Sequence, residues 1–331
     1  MKKILLIGTG GTIASEMTDS GLAPELTSRQ LLARIPGISD ICEAECIQLL
    51  NLDSTNITPA HWLEMARCVR EHYDDYDGFV LTHGTDTMAY TAAGLSYLIQ
   101  NSPKPVVLTG AQKPIGFDST DSKVNLLDAF TVAAAGLPGV LLVFNGRVIL
   151  GTRAQKTRSK SFQAFSSINF PELAVVRDGV LLPYIRRDRP TGPVFSDTLN
   201  DRVALLKLTP GCDREALDFL LERNDALIIE SFGVGGLPET GGFHDSVRRW
   251  TERGKTVVLT TQVQREGSDV AVYHVGHRLK EDAGVLEAYD MTTEAVLAKL
   301  MWILGRTREA DEVRRLFYTP VERDLLWPTE K

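Results

Sequence analysis

Short, uninterrupted apolar runs recur along the chain, separated by longer stretches in which apolar residues return every three or four positions. Lys3 to Ile7, Gly78 to Thr82, Pro105 to Thr109 and Val140 to Phe144 are runs of the first kind. Their length suits strands of a parallel sheet, which lie between helical layers and hide both faces. Pro59 to His72 and Thr87 to Gln100 carry the helical spacing. Alternation of the two predicts a parallel sheet with helices on both faces. Between LLVF and RVIL, Asn145 and Gly146 predict a tight hairpin, because both tolerate the positive φ that such a turn needs. The apolar pattern lapses after Leu182, and Arg186 to Pro193 is rich in charge and turn formers, which marks a linker. Beyond it, Val203 to Leu208, Ala226 to Glu230 and Thr256 to Thr260 are again strand-like, with helical stretches between them. The expected fold class is α/β: a doubly wound parallel sheet forms an N-terminal domain over residues 1–188, 189–202 is a linker, and 203–331 is a smaller α/β C-terminal domain.

At 331 residues the chain exceeds the roughly 250 to 300 at which one hydrophobic core usually stops growing, which agrees with two domains. Hydrophobic residues make up 43%, charged residues 24%, and the formal net charge is −7. A chain without a basic excess is a poor match for nucleic acid. Cys42, Cys46, Cys68 and Cys212 are too scattered for a disulfide scaffold and are expected as reduced thiols. Cys42 and Cys46 could share a helix face, but nothing beside them completes a zinc set, so no metal is expected. The start, MKKILLIGTGG, opens like a signal peptide. Its apolar run ends at Ile7, short of the about 7 to 15 residues of a secretory h-region and the about 20 of a membrane span. A cytoplasmic protein without membrane contact is expected.

In an open parallel sheet, ligands bind outside the carboxyl ends of the strands. The first such loop is GTGGTIA, Gly8 to Ala14, whose glycines let backbone approach a ligand. It has Ile13 where a dinucleotide fingerprint wants a small residue and lacks the Gly-Lys-Ser/Thr of a P-loop, so a phosphate cradle is disfavoured. The second is THGTDTMAY, Thr82 to Tyr90. Alone, Thr85 or Asp86 reads equally well as a helix cap. Together, Thr12 and Thr85 each follow a glycine after a buried strand, and a doubly wound sheet brings such loops to one edge. A hydroxyl nucleophile needs help to lose its proton. His83 is one candidate, although a lone histidine at a turn is more often structural. Lys156, within GTRAQKTRSK, is another: Arg153, Arg158 and Lys160 around it would favour its neutral form, yet a solvated basic loop is the commoner reading.

GTGGTIAS, THGTDTMAYT, LTGAQKP, GTRAQKTRS and TTQVQREG together resemble the bacterial-type L-asparaginases, in particular the cytoplasmic type I branch, over nearly the whole chain. The resemblance implies an amidohydrolase without a cofactor that converts L-asparagine to L-aspartate and ammonia. Thr12 would be the nucleophile that forms a β-aspartyl ester, with Thr85, Asp86 and Lys156 in support. It implies that Ser54, with Asp53 beside it, holds the substrate α-carboxylate, that Asp86 meets the α-ammonium, and that the backbone at Gly84, Thr85 and Ala111 lines the pocket. Relatives carry a tyrosine in a lid after the first motif, whereas TDSGLAPELT has Leu22 and none. Leu22 is therefore expected to close the site, with Glu16 or Asp19 as alternatives for the missing phenol. The resemblance also implies a homodimer or homotetramer, with Ser231 to Pro238 as the segment nearest a partner's site. Two other readings stand beside it: a nucleotide-binding regulatory module using Gly8 to Thr12, and the amidase component of a tRNA-dependent amidotransferase, whose catalytic domain shares these motifs.

Overall fold

The computed structural model describes residues 1–18, 21–24, 26–270 and 284–326. The chain divides into two units, Met1–Asp197 and Thr198–Lys331. In the first unit, strand β1 (Lys3–Gly10) is followed by a hairpin of β2 (Ser15–Thr18) and β3 (Gly21–Pro24), then helix α1 (Ser28–Ala33) and β4 (Glu43–Leu52). Next come α2 (Pro59–Glu71), β5 (Gly78–Thr82), α3 (Met88–Leu98), β6 (Ile99–Gln100), β7 (Pro105–Thr109), α4 (Ser122–Ala135) and β8 (Gly139–Phe144). The unit closes with short strands: β9 (Arg147–Leu150), β10 (Ala154–Lys156), β11 (Phe165–Ser167), β12 (Ala174–Arg177), β13 (Val180–Pro183) and β14 (Val194–Phe195). Val194–Phe195 lie within the stretch expected as linker and pair with β6.

An eight-stranded sheet runs β13-β12-β9-β8-β7-β5-β1-β4. Its parallel part, β4-β1-β5-β7-β8, is doubly wound as expected, with α4 packed on one face of β5, β7 and β8 and α3 on β7 and β8. β5, β7 and β8 are buried at every position, so apolar residues run on without alternation. One face joins Ile4, Leu6, Val80, Val107 and Leu141 to Leu126 and Phe130 of α4 and Leu31 of α1. The sheet is mixed rather than wholly parallel, because β9, β12 and β13 pair antiparallel. Between β8 and β9 and between β12 and β13, two-residue turns leave no room for a crossover and force that direction. Asn145–Gly146 form the expected turn with φ of 51° and 72°, and Asp178–Gly179 form another with 51° and 74°. Cys46 lies on β4 and Cys42 just before it, so the pair does not share a helix face.

The second unit holds β15 (Val203–Lys207), α5 (Arg214–Arg223), β16 (Ala226–Ser231), α6 (Phe243–Thr251), β17 (Thr256–Thr261), β18 (Leu286–Glu287), α7 (Thr293–Leu304) and α8 (Ala310–Tyr318). Its four-stranded sheet is parallel, in the order β15-β16-β17-β18. Leu217 and Leu221 of α5 and Phe243 and Val247 of α6 cover Leu227, Ile229, Val257 and Leu259 on one face, while α7 packs on β15 and β16. Among the described residues, no helix is long and apolar enough to cross a membrane.

Candidate functional site

The strand order 4-1-5-7-8 reverses beside β1: the chain first steps outward to β4, then crosses back to β5 and continues the other way. At such a reversal the connections diverge to opposite faces and leave a crevice at the carboxyl edge. The loops after β1, β4, β5 and β7 therefore share one edge. They carry Thr12, Asp53 and Ser54, Gly84 to Asp86, and Ala111.

Glycines let these loops touch through bare backbone. Gly10 (φ +101°) has Leu52 N and O where a Cβ would stand, both at 2.5 Å. At Gly11 (φ +82°) the Cβ would fall 2.3 Å from Gly84 N, and a Cβ on Gly84 would fall 2.6 Å from Ser54 Oγ. The first loop thus lies on the third, and the third on the second. Thr9 Oγ1 donates to Thr82 O at 2.7 Å and ties the ends of β1 and β5 together. Thr12, half-buried, opens a single 3-10 turn through Ala14, closed by Ala14 N donating to Gly11 O at 3.0 Å.

Lys156 reaches the same edge from β10. Its Nζ donates to Thr85 Oγ1 at 2.8 Å and to Asp86 Oδ1 at 2.6 Å, with the lysine side chain 18% exposed and the aspartate 59%. Two of the basic neighbours named from the sequence have contacts elsewhere: Arg153 is fully buried with its guanidinium over the Phe170 ring, and Arg158 donates to Gln163 O. The amine is bound by a hydroxyl and a carboxylate, so it belongs to the threonine loop.

Thr85 Oγ1 in turn donates to Gln112 Oε1 at 3.2 Å, and Gln112 Nε2 donates to Ser161 O at 3.2 Å. Gln112 is the site residue that sequence reasoning missed, although it stands inside LTGAQKP. Its loop is shaped by buried Asp121, which accepts from Gln112 N, Lys113 N and Asn125 Nδ2, while Asn125 Nδ2 also donates to Gly110 O at 2.9 Å. Ala111 is buried between these fixed points.

Ser54 is 3% exposed, and its carbonyl accepts from Thr87 Oγ1 at 2.7 Å. Asp53 caps the following turn: its Oδ1 accepts from Thr55 Oγ1 at 2.6 Å and Thr55 N at 2.8 Å, and these bonds hold its carboxyl below the usual range. His83 is fully buried, burial pushes its pKa down to about 4, and its ring nitrogens are engaged by Gly84 O and Thr91 Oγ1.

Leu22 sits on β3 opposite Met17, within a two-stranded ribbon, and its side chain lies outside the described residues, as do that of Glu16 and the whole of Asp19. In the second unit, Ser231 ends β16, Thr261 Oγ1 donates to Gly233 O at 2.5 Å, and Phe232 and Val234 are exposed.

Comparison with known proteins gives this arrangement a family. Residues 3–187 match the family described as Asparaginase, N-terminal, and residues 202–317 match the Glutaminase/Asparaginase C-terminal domain. The chain is 44% identical to an L-asparaginase of Thermococcus kodakarensis, covering 95% of this chain and 96% of that one. It superposes on the thermostable L-asparaginase of that organism with a TM-score of 0.92 at 40% identity, over 98% and 100% of the two chains. L-asparaginase I of Vibrio cholerae gives a TM-score of 0.89 at 32% identity, over 98% and 99%. A component of the glutamyl-tRNA(Gln) amidotransferase of Pyrococcus horikoshii is 34% identical over 96% of this chain and 75% of its own length. The chain belongs to the asparaginase family, on its type I side.

Proposed function

We propose that the protein hydrolyses L-asparagine to L-aspartate and ammonia through a threonine-linked β-aspartyl ester. The observation that carries this reading is the Lys156–Thr85–Asp86 cluster set against the Thr12 loop through the Gly11–Gly84 contact. Thr12 Oγ attacks the side-chain amide carbon, and its proton passes by way of the Thr85 hydroxyl and Lys156 amine to the departing nitrogen, which leaves as ammonia. Water then cleaves the ester, returning the Thr12 hydroxyl and releasing the aspartate carboxylate. A weak hydroxyl nucleophile needs such a proton path. The half-exposed Asp86 carboxylate suits the substrate's α-ammonium, and the Ser54 hydroxyl and the backbone at Gly84, Thr85 and Ala111 serve its other groups. Opposite polar ends fix a small zwitterion in one orientation.

Leu22 closes the site and excludes water in this reading, the enzyme works in the cytoplasm as a homodimer or homotetramer, and it takes up no nucleic acid. The amidotransferase reading draws on the similarity to the Pyrococcus horikoshii protein, and glutamine tests it. Purified protein is given L-asparagine or L-glutamine without metal or nucleotide, and ammonia is measured alongside Thr12→Ala. Release from asparagine is expected, with the variant below about a hundredth of the wild-type rate, as for lost nucleophiles. Hydroxylamine added during turnover should give aspartyl hydroxamate. Release from neither amino acid overturns the proposal, and turnover by Thr12→Ala above about a hundredth of the wild-type rate overturns the nucleophile.

A further inference from the structure

Beneath the threonine loop lies a buried relay that the reaction scheme above does not use. Trp62 Nε1, on α2, donates to Thr91 Oγ1 on α3 at 3.0 Å. Thr91 Oγ1 lies 2.9 Å from His83 Nε2, and His83 Nδ1 lies 2.7 Å from Gly84 O. Thr91 and His83 have no exposed surface, and Trp62 is nearly buried.

The chemistry of the two ends sets the direction of every bond between them. An indole N–H can only donate and a carbonyl oxygen can only accept. His83 Nδ1 must therefore carry the proton. In a neutral imidazole Nε2 is then an acceptor, so the Thr91 hydroxyl donates to it while accepting from Trp62. The chain runs one way: Trp62 to Thr91 to His83 to the Gly84 carbonyl. That carbonyl belongs to the peptide linking Gly84 to Thr85. In a trans peptide the carbonyl and the next N–H point in opposite directions, so drawing the oxygen toward the interior turns the Thr85 N–H outward. The backbone around the ring is pinned as well. His83 N donates to Thr109 O at 2.9 Å, and a Cβ on Gly110 would stand 2.2 Å from His83 O.

We propose that His83 is a positioning residue: its Nδ1–H fixes the Gly84–Thr85 peptide, and with it the aim of the Thr85 N–H and hydroxyl at the substrate. This rests on the asparagine-hydrolase reading for its kinetic consequence but not for its geometry, and the test separates the two. Selective 15N labelling of histidine in the wild-type protein is expected to show His83 as the Nδ1-protonated tautomer from pH 8 to pH 5. The Nε2-protonated tautomer, or a ring that titrates like a free histidine, overturns the proposal whatever the enzyme turns over.

Kinetics of variants supply the second arm. His83→Ala is expected to lower kcat about 30-fold with KM within about threefold, the pattern of lost alignment rather than lost binding. In His83→Asn, the amide N–H stands in for Nδ1–H and should recover at least about tenfold of that loss. Trp62→Phe, which leaves Thr91 free to donate, should cost less than Thr91→Val, which removes the donor to Nε2 and lets the tautomer mix. Equal losses in His83→Asn and His83→Ala overturn the proposal. Should wild type release no ammonia from asparagine while His83 holds the stated tautomer, the hydrolase reading fails and the positioning stands.

Discussion

Gly11 and Gly211 have almost the same backbone angle, φ of 82° and 83°, and each follows the first strand of its unit. Their surroundings differ completely: a Cβ on Gly11 would strike Gly84 N at 2.3 Å, whereas a Cβ on Gly211 would meet nothing within 4 Å. Strand order explains the difference. β1 sits inside its sheet with β4 on one side and β5 on the other, so three loops crowd its carboxyl end. β15 is the edge of a sheet whose strands follow one another in chain order, so no reversal opens beside it. The same positive φ accompanies a site in one unit and an ordinary surface loop in the other. The fold's reversal, more than the glycine, concentrates chemistry.

The largest effect that can break this contrast lies in the second unit. Lys299 and Asp324 form a 2.7 Å ion pair with no exposed surface. Lys299→Met leaves a buried carboxylate without its cation and is expected to cost about 3 to 5 kcal/mol of stability, measured by urea unfolding. Turnover per folded molecule should stay at the wild-type level, and a parallel fall in kcat would assign that unit a share of the chemistry.

In the first unit, His83 is a buried ionisable group held neutral. Its pKa falls from 6.5 unfolded to about 4 folded, so the unfolded chain binds the extra proton between these values. The stability it supports is complete above pH 6.5 and drains away as pH falls toward 4, on the order of 3 kcal/mol in total. Unfolding curves at pH 7.5 and pH 4.5, compared with those of His83→Asn, should show the wild type losing more on acidification.

Gly11→Ala and Gly211→Ala test the glycine pair directly. The first must push the Thr12 loop off Gly84 by about an ångström, and a loss of about 100-fold in kcat/KM is expected. The second strains only its own φ, for about 1 kcal/mol of stability and no change in turnover. Equal effects would dissolve the contrast.

The smallest effect comes from Asp128 on α4, whose carboxyl is pushed up to about 6 by burial and is opposed only by a backbone bond from Gly146. A raised carboxyl contributes stability below pH 3.8 and loses it as pH rises through 6. Asp128→Asn, which keeps an acceptor without the charge, should gain about 1 kcal/mol at pH 8 and nothing at pH 4. A gain at both values would mean that charge is not the cause.

The central strands were legible because burial on both faces removes the need for polar residues: Gly78–Thr82 and Pro105–Thr109 form strands over the residues that their apolar runs predict. β4 was not read. Its segment EAECIQLLNL mixes Glu43, Glu45, Gln48 and Asn51 with apolar residues because it is an edge strand with half its surface toward water, a pattern with no clean period. Asp178–Gly179 is the same turn signal as Asn145–Gly146, but the strands beside it are short and partly exposed, and Val180 and Leu182 gave no run to recognise. At the site, Thr12 and Thr85 stood out because two strand ends carried glycine followed by threonine. Gln112 did not, since its place depends on Asp121 and Asn125, at the start of a helix that the loop's own residues do not announce. His83 illustrates a third case: the residue type was visible, while its partners Thr91 and Trp62 lie eight and more residues away on two helices.

The position of β1 also bears on how the protein is made. A ribosome delivers Lys3–Gly10 before the strands that flank it, so the registers of that strand wait for Glu43–Leu52 on one side and Gly78–Thr82 on the other. Until those segments emerge, a strand with the apolar run Ile4 to Ile7 has both edges open, the condition under which nascent chains pair with each other. The segment beside which the finished sheet reverses its strand order is therefore one that needs shelter while the chain is still growing.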